Sequence, residues 1–182
     1  MKQALKIAQT YLQEQGAMPL MVVAETAKGE TITWLGKFRK KHEKEDGKAF
    51  CGLLSIAFQV KNIQNYTLLI NADMNLDGTV SNVLVATHIS RNEKRAKVFN
   101  ILNQDTLQEV MEIETGDTVG GLLEGSYLRL LPLRRKNFDE SVVKNVNAYL
   151  TTITYTPPKE AQNVSIMDTE DGFEQLIDNF FV

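Results

Sequence analysis

Residues 66–89 have the sequence YTLLINADMNLDGTVSNVLVATHI, in which two apolar runs flank a short polar stretch. The runs 66–73 and 80–89 predict two β-strands. Asp77-Gly78 between them is typical of a tight turn, because glycine adopts positive φ without strain. The stretch therefore predicts an antiparallel hairpin, and the rest of the fold is expected to extend from it.

The same turn has a second interpretation, as a cation site. Asp73, Asn75 and Asp77 place oxygen ligands at every second position before Gly78, a spacing that calcium loops use. The twelfth position of such a loop needs a bidentate glutamate, and here it is Leu84. The flanks are also predicted as strands, whereas calcium loops of this kind lie between helices. We therefore expect a hairpin turn and keep the three side chains as weak metal candidates only.

Further strands are expected on both sides of the hairpin, at residues 20–26, 31–38, 96–102, 107–113 and 127–134. Residues 49–60 are apolar and fit a buried strand or a helix, and their aromatic residues favour a strand. Residues 151–156 are rich in β-branched side chains and are a last strand candidate. The sequence thus predicts a curled or barrel-like antiparallel sheet of about seven to eight strands.

Two helices complete this α+β fold. Residues 2–15 carry an apolar stripe at spacings of three and four, and Gly16 ends it. Asp139 is an expected N-cap for a helix near 139–150. Pro157-Pro158 then marks a boundary. We predict a single domain over 1–156 and an acidic, amphipathic C-terminal segment over 157–182.

Several kinds of chemistry lack support in the sequence. Cys51 is the only cysteine, so an intramolecular disulfide is excluded, and with His42 and His88 it gives three of the four ligands of a structural zinc site. There is no phosphate-binding glycine loop and no nucleophile elbow. Cys51 sits in an apolar run and is expected to be a core thiol. His88 could act as a base toward Ser90 or another hydroxyl. A small enzyme or a ligand-binding barrel around His88 is therefore kept as a functional alternative, and no cofactor is expected.

The charge of the chain is unevenly distributed. The net charge is −3, and residues 157–182 contain six acids and one base, which leaves +2 for residues 1–156. The start of the chain lacks the continuous apolar stretch of a signal peptide, and the longest apolar run is too short to span a bilayer. We therefore expect a cytoplasmic protein without a membrane partner.

Basic residues form three clusters, at 37–48, 91–97 and 129–136. If the sheet brings them together, they would form a track for phosphates, and aromatic side chains between them would stack on bases. The residues expected to contact phosphates are Lys40, Lys41, Arg95, Arg134 and Arg135. The stacking residues are Trp34 or Phe38, with Tyr66, Phe99 and Tyr127 as further candidates. Because acids are interleaved with each cluster, the competing interpretation is that these are solvated turn charges.

The C-terminal segment is the second candidate surface. Its apolar residues recur at helical spacing opposite acidic ones, and they are Phe173, Leu176, Ile177, Phe180 and Phe181. In composition this segment resembles the protein-docking tails of single-stranded-DNA-binding proteins, which implies a partner protein or a second copy of the chain. The alternative is a last helix that packs on its own sheet.

The sequence therefore favours a non-catalytic binding module, with single-stranded nucleic acid as the leading ligand and the acidic, aromatic C-terminal segment as a docking tail. The second alternative is an assembly or adaptor subunit, such as a homo-oligomer, whose C-terminal segment docks on a neighbouring chain.

Overall fold

The computed structural model of the chain describes residues 1–76, 78–103, 106–114, 127–132 and 136–158. Within these ranges there are three α-helices and six β-strands. In chain order they are α1 (Lys2–Gln15), β1 (Leu20–Thr26), β2 (Thr31–Gly36), α2 (Glu43–Val60), β3 (Ile63–Leu76), β4 (Thr79–Ser90), β5 (Lys94–Leu102), β6 (Thr106–Glu114) and α3 (Glu140–Ile153). No helix in the described ranges is both long enough and apolar enough to cross a bilayer.

The strands form one antiparallel sheet in the order β2-β1-β3-β4-β5-β6. The predicted central hairpin is confirmed: β3 pairs with β4 from Leu76↔Thr79 at the turn to Asn65↔Ser90 at the far end. Gly78 has φ 85°, as the turn requires. The hairpins β1–β2 and β5–β6 are confirmed as well, although β2 ends at Gly36 rather than at residue 38. The predicted α+β class and antiparallel sheet are therefore correct.

The prediction of a strand over residues 49–60 is wrong, because these residues belong to α2. Its fully buried side chains, among them Phe50, Leu54, Ala57 and Phe58, follow a helical spacing of three and four. Three acids in the first turn suit the positive end of the helix dipole. Because only Gly52, Ser55 and Gln59 interrupt the apolar residues from 49 to 60, the helical period is hard to recognise there.

Two further strand predictions are not borne out in the described residues. Tyr127–Arg129 is a single turn of 3₁₀ helix, and residues 133–135 lie outside the described ranges. Residues 151–153 continue α3, and Thr154 forms only an isolated bridge to Trp34. The sheet is open, with β2 and β6 as its two outer strands among the described residues. Neither the barrel-like closure nor the count of seven to eight strands is confirmed.

Helices cover both faces of the sheet. On one face, α2 and α3 enclose a core whose centre includes Trp34, Phe58, Tyr66 and Leu68. On the other, α1 packs its apolar stripe on alternate residues of the same strands, such as Met21, Leu69 and Leu84. The two faces are each buried because β1 and β3, in the middle of the sheet, carry apolar side chains at successive positions. The start of α2 lies near the start of β1 and the end of β2, and the candidate site is found there.

Candidate functional site

A buried ion pair fixes the loop between β2 and α2. The backbone N–H of Arg39 donates to Asp46 Oδ2 at 2.8 Å, its Nε to the same oxygen at 3.1 Å, and its Nη2 to Oδ1 at 2.8 Å. Asp46 is fully buried, and the side chain of Arg39 is 28% exposed. Burial alone raises the pKa of the Asp46 carboxyl, but the hydrogen bonds and charge of Arg39 outweigh it and hold this pKa below its usual value. The loop that carries Lys37, Phe38 and Lys40 is therefore tied to the first turn of α2.

A pocket of about 630 Å³ opens beside this loop, between the starts of β1 and α2, the end of β2 and the middle of β3. Phe38 and Tyr127 contribute aromatic rings to its lining, and both pack on Phe50, with ring centroids 5.7 and 6.5 Å away. The hydroxyl of Tyr127 donates to the carbonyl of Gly47 at 2.8 Å, so this ring is held in position. The aromatic part of the pocket is therefore anchored to α2.

The charged part of the lining consists of Lys37, Lys40 and one acid, Glu43. Both lysines are exposed. Among the described residues, neither lysine has an ion-pair partner. An apolar recess with two unpaired cations at its rim suits a ligand that combines a ring with negative charge.

The solvent-facing side of α2 continues from this pocket. Lys44, Lys48, Gly52, Ser55 and Gln59 follow one another at spacings of four or three, so they lie along one side of the helix. Lys44 and Lys48 are exposed, and the three that follow are small or uncharged. The outer side of α2 is thus basic near its start and carries no acid beyond its first turn.

The structure places Lys136 and Arg95 away from the pocket, whereas the exposed Arg129 follows the pocket residue Tyr127 by two positions. Lys136 lies at the far end of α2, where its backbone N–H donates to Gln59 Oε1 at 2.9 Å. Because α2 has 18 residues, this point is roughly 27 Å from Lys41 and the pocket. Arg95 lies at the start of β5, on the sheet face that packs on α1, where its guanidinium pairs with Glu93. Arg134 and Arg135 lie outside the described residues.

The candidate stacking residues fall into a buried group and a group at the pocket. Trp34 is only 1% exposed, with its ring 6.0 Å from that of Phe58, and Tyr66 and Phe99 are buried too. These rings belong to the two cores and are not accessible for stacking. Phe38 is half-buried at the pocket, whereas Tyr127 contributes to the pocket lining but is only 6% exposed and belongs to the core. Of the two stacking residues that the sequence favoured, Phe38 is therefore the one at an accessible surface.

The β3–β4 turn shows no metal-binding arrangement in its described residues. Asp73 and Asn75 are exposed on β3, and Asp73 Oδ1 accepts a hydrogen bond from Asn82 Nδ2 at 3.3 Å. Asp77 lies outside the described residues. Across the described ranges, no group of three or more acidic, histidine or cysteine side chains is placed to hold a metal ion.

His88 lies against the hydroxyl of Thr67 and not against that of Ser90. Its Nδ1 lies 3.1 Å from the hydroxyl oxygen of Thr67, and the Ser90 hydroxyl donates instead to the carbonyl of Glu93. Burial and the nearby N-terminal amino group lower the pKa of His88. Cys51 is 8% exposed within the α2 core, as expected of a core thiol.

Three exposed lysines were not among the predicted phosphate contacts: Lys37, which lines the pocket, and Lys44 and Lys48, which lie along α2. The spacing of Lys44 and Lys48 by four would have placed them on one side of α2 if residues 43–60 had been recognised as a helix. The C-terminal residues Phe173, Leu176, Ile177, Phe180 and Phe181 lie outside the described ranges. No protein-family model, curated protein or solved structure matches this chain.

Proposed function

We propose that this protein is a non-catalytic module that binds single-stranded nucleic acid at the pocket beside the start of α2. The observation that carries the proposal is the half-buried ring of Phe38 beside Lys37 and Lys40 at one pocket, with the buried ring of Tyr127 in the same lining. A ring that stacks on a base and cations that contact phosphates are the two elements that single-strand binding uses.

The pocket favours an unpaired base over a duplex. Its volume of about 630 Å³ lies in the range of small-molecule sites, so it has room for one base and its sugar. In a duplex every base is stacked and paired, and its rings are not available to enter a recess. Only a single strand, a loop or a strand end presents a base in this way.

The outer side of α2 offers a path for the neighbouring phosphates. Lys41, Lys44 and Lys48 are exposed and have no ion-pair partner among the described residues. Beyond these lysines, Gly52 and Ser55 have small side chains, so the backbone of a nucleic acid can approach the helix closely. A strand that places one base in the pocket would therefore continue along α2.

The number of lysines sets the expected salt dependence. Lys37, Lys40, Lys41, Lys44 and Lys48 supply three to five phosphate contacts, and each contributes about −0.7 to the slope of log affinity against log salt for single strands. We expect a slope of roughly −2 to −3.5. Binding of this kind is weak at physiological salt and strong only at low ionic strength.

The test is fluorescence anisotropy of a labelled single strand of about 30 nucleotides, titrated with the full chain at several salt concentrations, with the matching duplex as a control. We expect saturable binding that falls with salt at the slope given above, and weaker binding of the duplex. No binding of the single strand at low salt would refute the proposal, and so would an equal affinity for the duplex.

The competing proposal is an assembly subunit that docks through residues 157–182. It predicts that removal of these residues changes the mass of the protein in solution and leaves any nucleic-acid signal unchanged. Sedimentation of the full and shortened chains therefore separates it from the proposal above.

A further inference from the structure

The two outer strands of the sheet differ in how they are covered. On the β2 side, the backbone N–H of Tyr155 donates to the carbonyl of Thr33 at 2.9 Å, and Trp34 forms a bridge with Thr154. The chain that follows α3 thus covers the outer edge of β2. Within the described residues, β6 pairs only with β5, and no described segment pairs with its outer edge.

The exposed side chains of β6 are both acidic and apolar. This strand contains three glutamates and no basic residue. Glu109 and Glu112 are 49% and 46% exposed, and Lys97 of β5 lies 2.8 Å from the first and 3.7 Å from the second. Val110 and Met111 are 38% and 43% exposed, and they are two of the four exposed large apolar residues in the described ranges. One lysine therefore faces two carboxylates, beside an uncovered apolar pair.

The register with β5 shifts at Val110, which has no partner residue there, and the pairing assigns Glu109, Glu112 and Met111 to opposite faces of the sheet. Glu112 lies opposite Lys97, on the face that packs on α1, and Glu109 lies on that face opposite Phe99. Met111 lies opposite Val98 on the other face. A segment that added to β6 as a seventh strand would meet carboxylates on one face and apolar side chains on the other.

We propose that the outer edge of β6 binds an extended peptide segment of a partner protein that alternates Lys or Arg with apolar residues. Main-chain hydrogen bonds to β6 would hold the segment, as in other cases of strand addition. Its basic side chains would pair with Glu109 and Glu112, and its apolar side chains would cover Met111. The proposal is independent of nucleic-acid binding, because no residue of β6 lines the pocket beside the start of α2.

Charge decides between this occupant and a second copy of the chain. Two β6 strands placed side by side would bring six glutamates together, and like charges on neighbouring strands destabilise the pair. The segment 157–182 has a net charge of −5, so it is an equally poor match. A basic partner has the complementary charge.

The first experiment uses a fluorescent peptide of nine residues, the length of β6, that alternates lysine and valine. The control peptide has the same composition with all lysines preceding all valines. We expect the full chain to bind the alternating peptide at least about tenfold more tightly, and the amide hydrogens of 106–114 to exchange more slowly in the complex. Equal affinity for the two peptides, or no slowing of exchange in β6, would overturn the proposal.

The second experiment uses charge-reversed variants of the protein. Glu109→Lys/Glu112→Lys is compared with Glu30→Lys/Glu140→Lys, which changes the net charge by the same amount at exposed sites away from β6. We expect the first pair to lose at least about tenfold in affinity for the alternating peptide and the second to keep it. Equal losses would show general charge attraction and contradict the proposal.

Two further measurements keep this comparison decisive. If the reversed variant fails to fold by circular dichroism, Glu109→Gln/Glu112→Gln replaces it, with Glu30→Gln/Glu140→Gln as its control and the same expected contrast. Sedimentation of the unmodified chain without peptide tests the other occupant. Dimerisation that Met111→Lys abolishes would assign this edge to a second copy and overturn the proposal.

Discussion

Replacing Asp46 with asparagine removes the negative charge that holds the β2–α2 loop against α2. The carboxylate accepts three hydrogen bonds from Arg39, and it is fully buried. Asparagine has nearly the same shape, but its Nδ2 would place a donor against the donors of Arg39. The variant therefore tests whether this ion pair stabilises the loop that presents Lys37, Phe38 and Lys40.

The expected loss of stability follows from the geometry. A hydrogen bond to a charged group contributes about 1.5–3 kcal/mol, and breaking a buried ion pair costs about 3–5 kcal/mol. Because the Arg39 side chain is 28% exposed, water recovers part of its solvation, and we expect a loss of about 2–4 kcal/mol. The pKa of Asp46 is held below its usual value, so this contribution is complete above about pH 4 and disappears as pH falls through the folded-state pKa.

The assay is urea denaturation at neutral pH and again at about pH 3. With a slope of about 2 kcal/mol per molar urea, the midpoint of Asp46→Asn should fall by roughly 1–2 M at neutral pH and by less at low pH. Glu45→Gln, at a neighbouring exposed position, is the control and should change stability by less than about 0.5 kcal/mol. An Asp46→Asn loss as small as that of Glu45→Gln would refute the reasoning.

Three further predictions concern the fold. Tyr66→Phe removes a buried hydroxyl that donates to the Tyr127 carbonyl at 2.6 Å and accepts from the Leu130 N–H at 3.4 Å. Urea denaturation should therefore show that the free energy of unfolding falls by about 1–2 kcal/mol, and a fall below about 0.5 kcal/mol would contradict this prediction. Gly52→Ala should raise stability by about 0.5–1 kcal/mol, since Gly52 lies inside α2 with open space around it. Gly16→Ala should lower stability because Gly16 has φ 72°. A loss of stability in Gly52→Ala would argue against a helix at this position. Because the pKa of His88 is lowered in the fold, the unfolded chain takes up the proton first, and the free energy of unfolding should fall as pH drops below about 6.5. In urea denaturation between about pH 5 and 7.5, His88→Gln should flatten this pH dependence of the midpoint, and an unchanged pH dependence would contradict its assignment to His88.

The sequence predicted the elements that carry strong local signals. The β3–β4 hairpin follows from Asp77-Gly78 between two apolar runs, and α1 follows from a stripe that is apolar on one side only. Residues 49–60 carry a weaker contrast, because the polar side of α2 has only Gly52, Ser55 and Gln59 there and the other positions are apolar. The helical spacing of apolar residues is hardest to recognise in a helix that is apolar on most sides.

The candidate site depended on tertiary placement that local patterns do not contain. Trp34 and Phe38 are both aromatic and lie four residues apart, yet one is in the core and the other lines the pocket. The difference arises because β2 ends at Gly36 and the chain then turns toward α2. Similarly, the distance between Lys41 and Lys136 is set by the length of α2, which was not recognised as a helix. The basic clusters could be recognised in the sequence, but the distance of Lys136 from Lys41 could not be predicted from it.

The most direct test of the nucleic-acid proposal compares two paired variants in the anisotropy assay. Lys40→Ala/Lys44→Ala removes two exposed lysines at the pocket and along α2, and Lys2→Ala/Lys6→Ala removes two exposed lysines from α1, on the opposite face of the sheet. We expect the first pair to weaken single-strand binding at least about tenfold at low salt and to reduce the salt slope by about 1.4, while the second pair leaves both unchanged. Equal effects of the two pairs, or no effect of the first, would contradict the assignment of this surface.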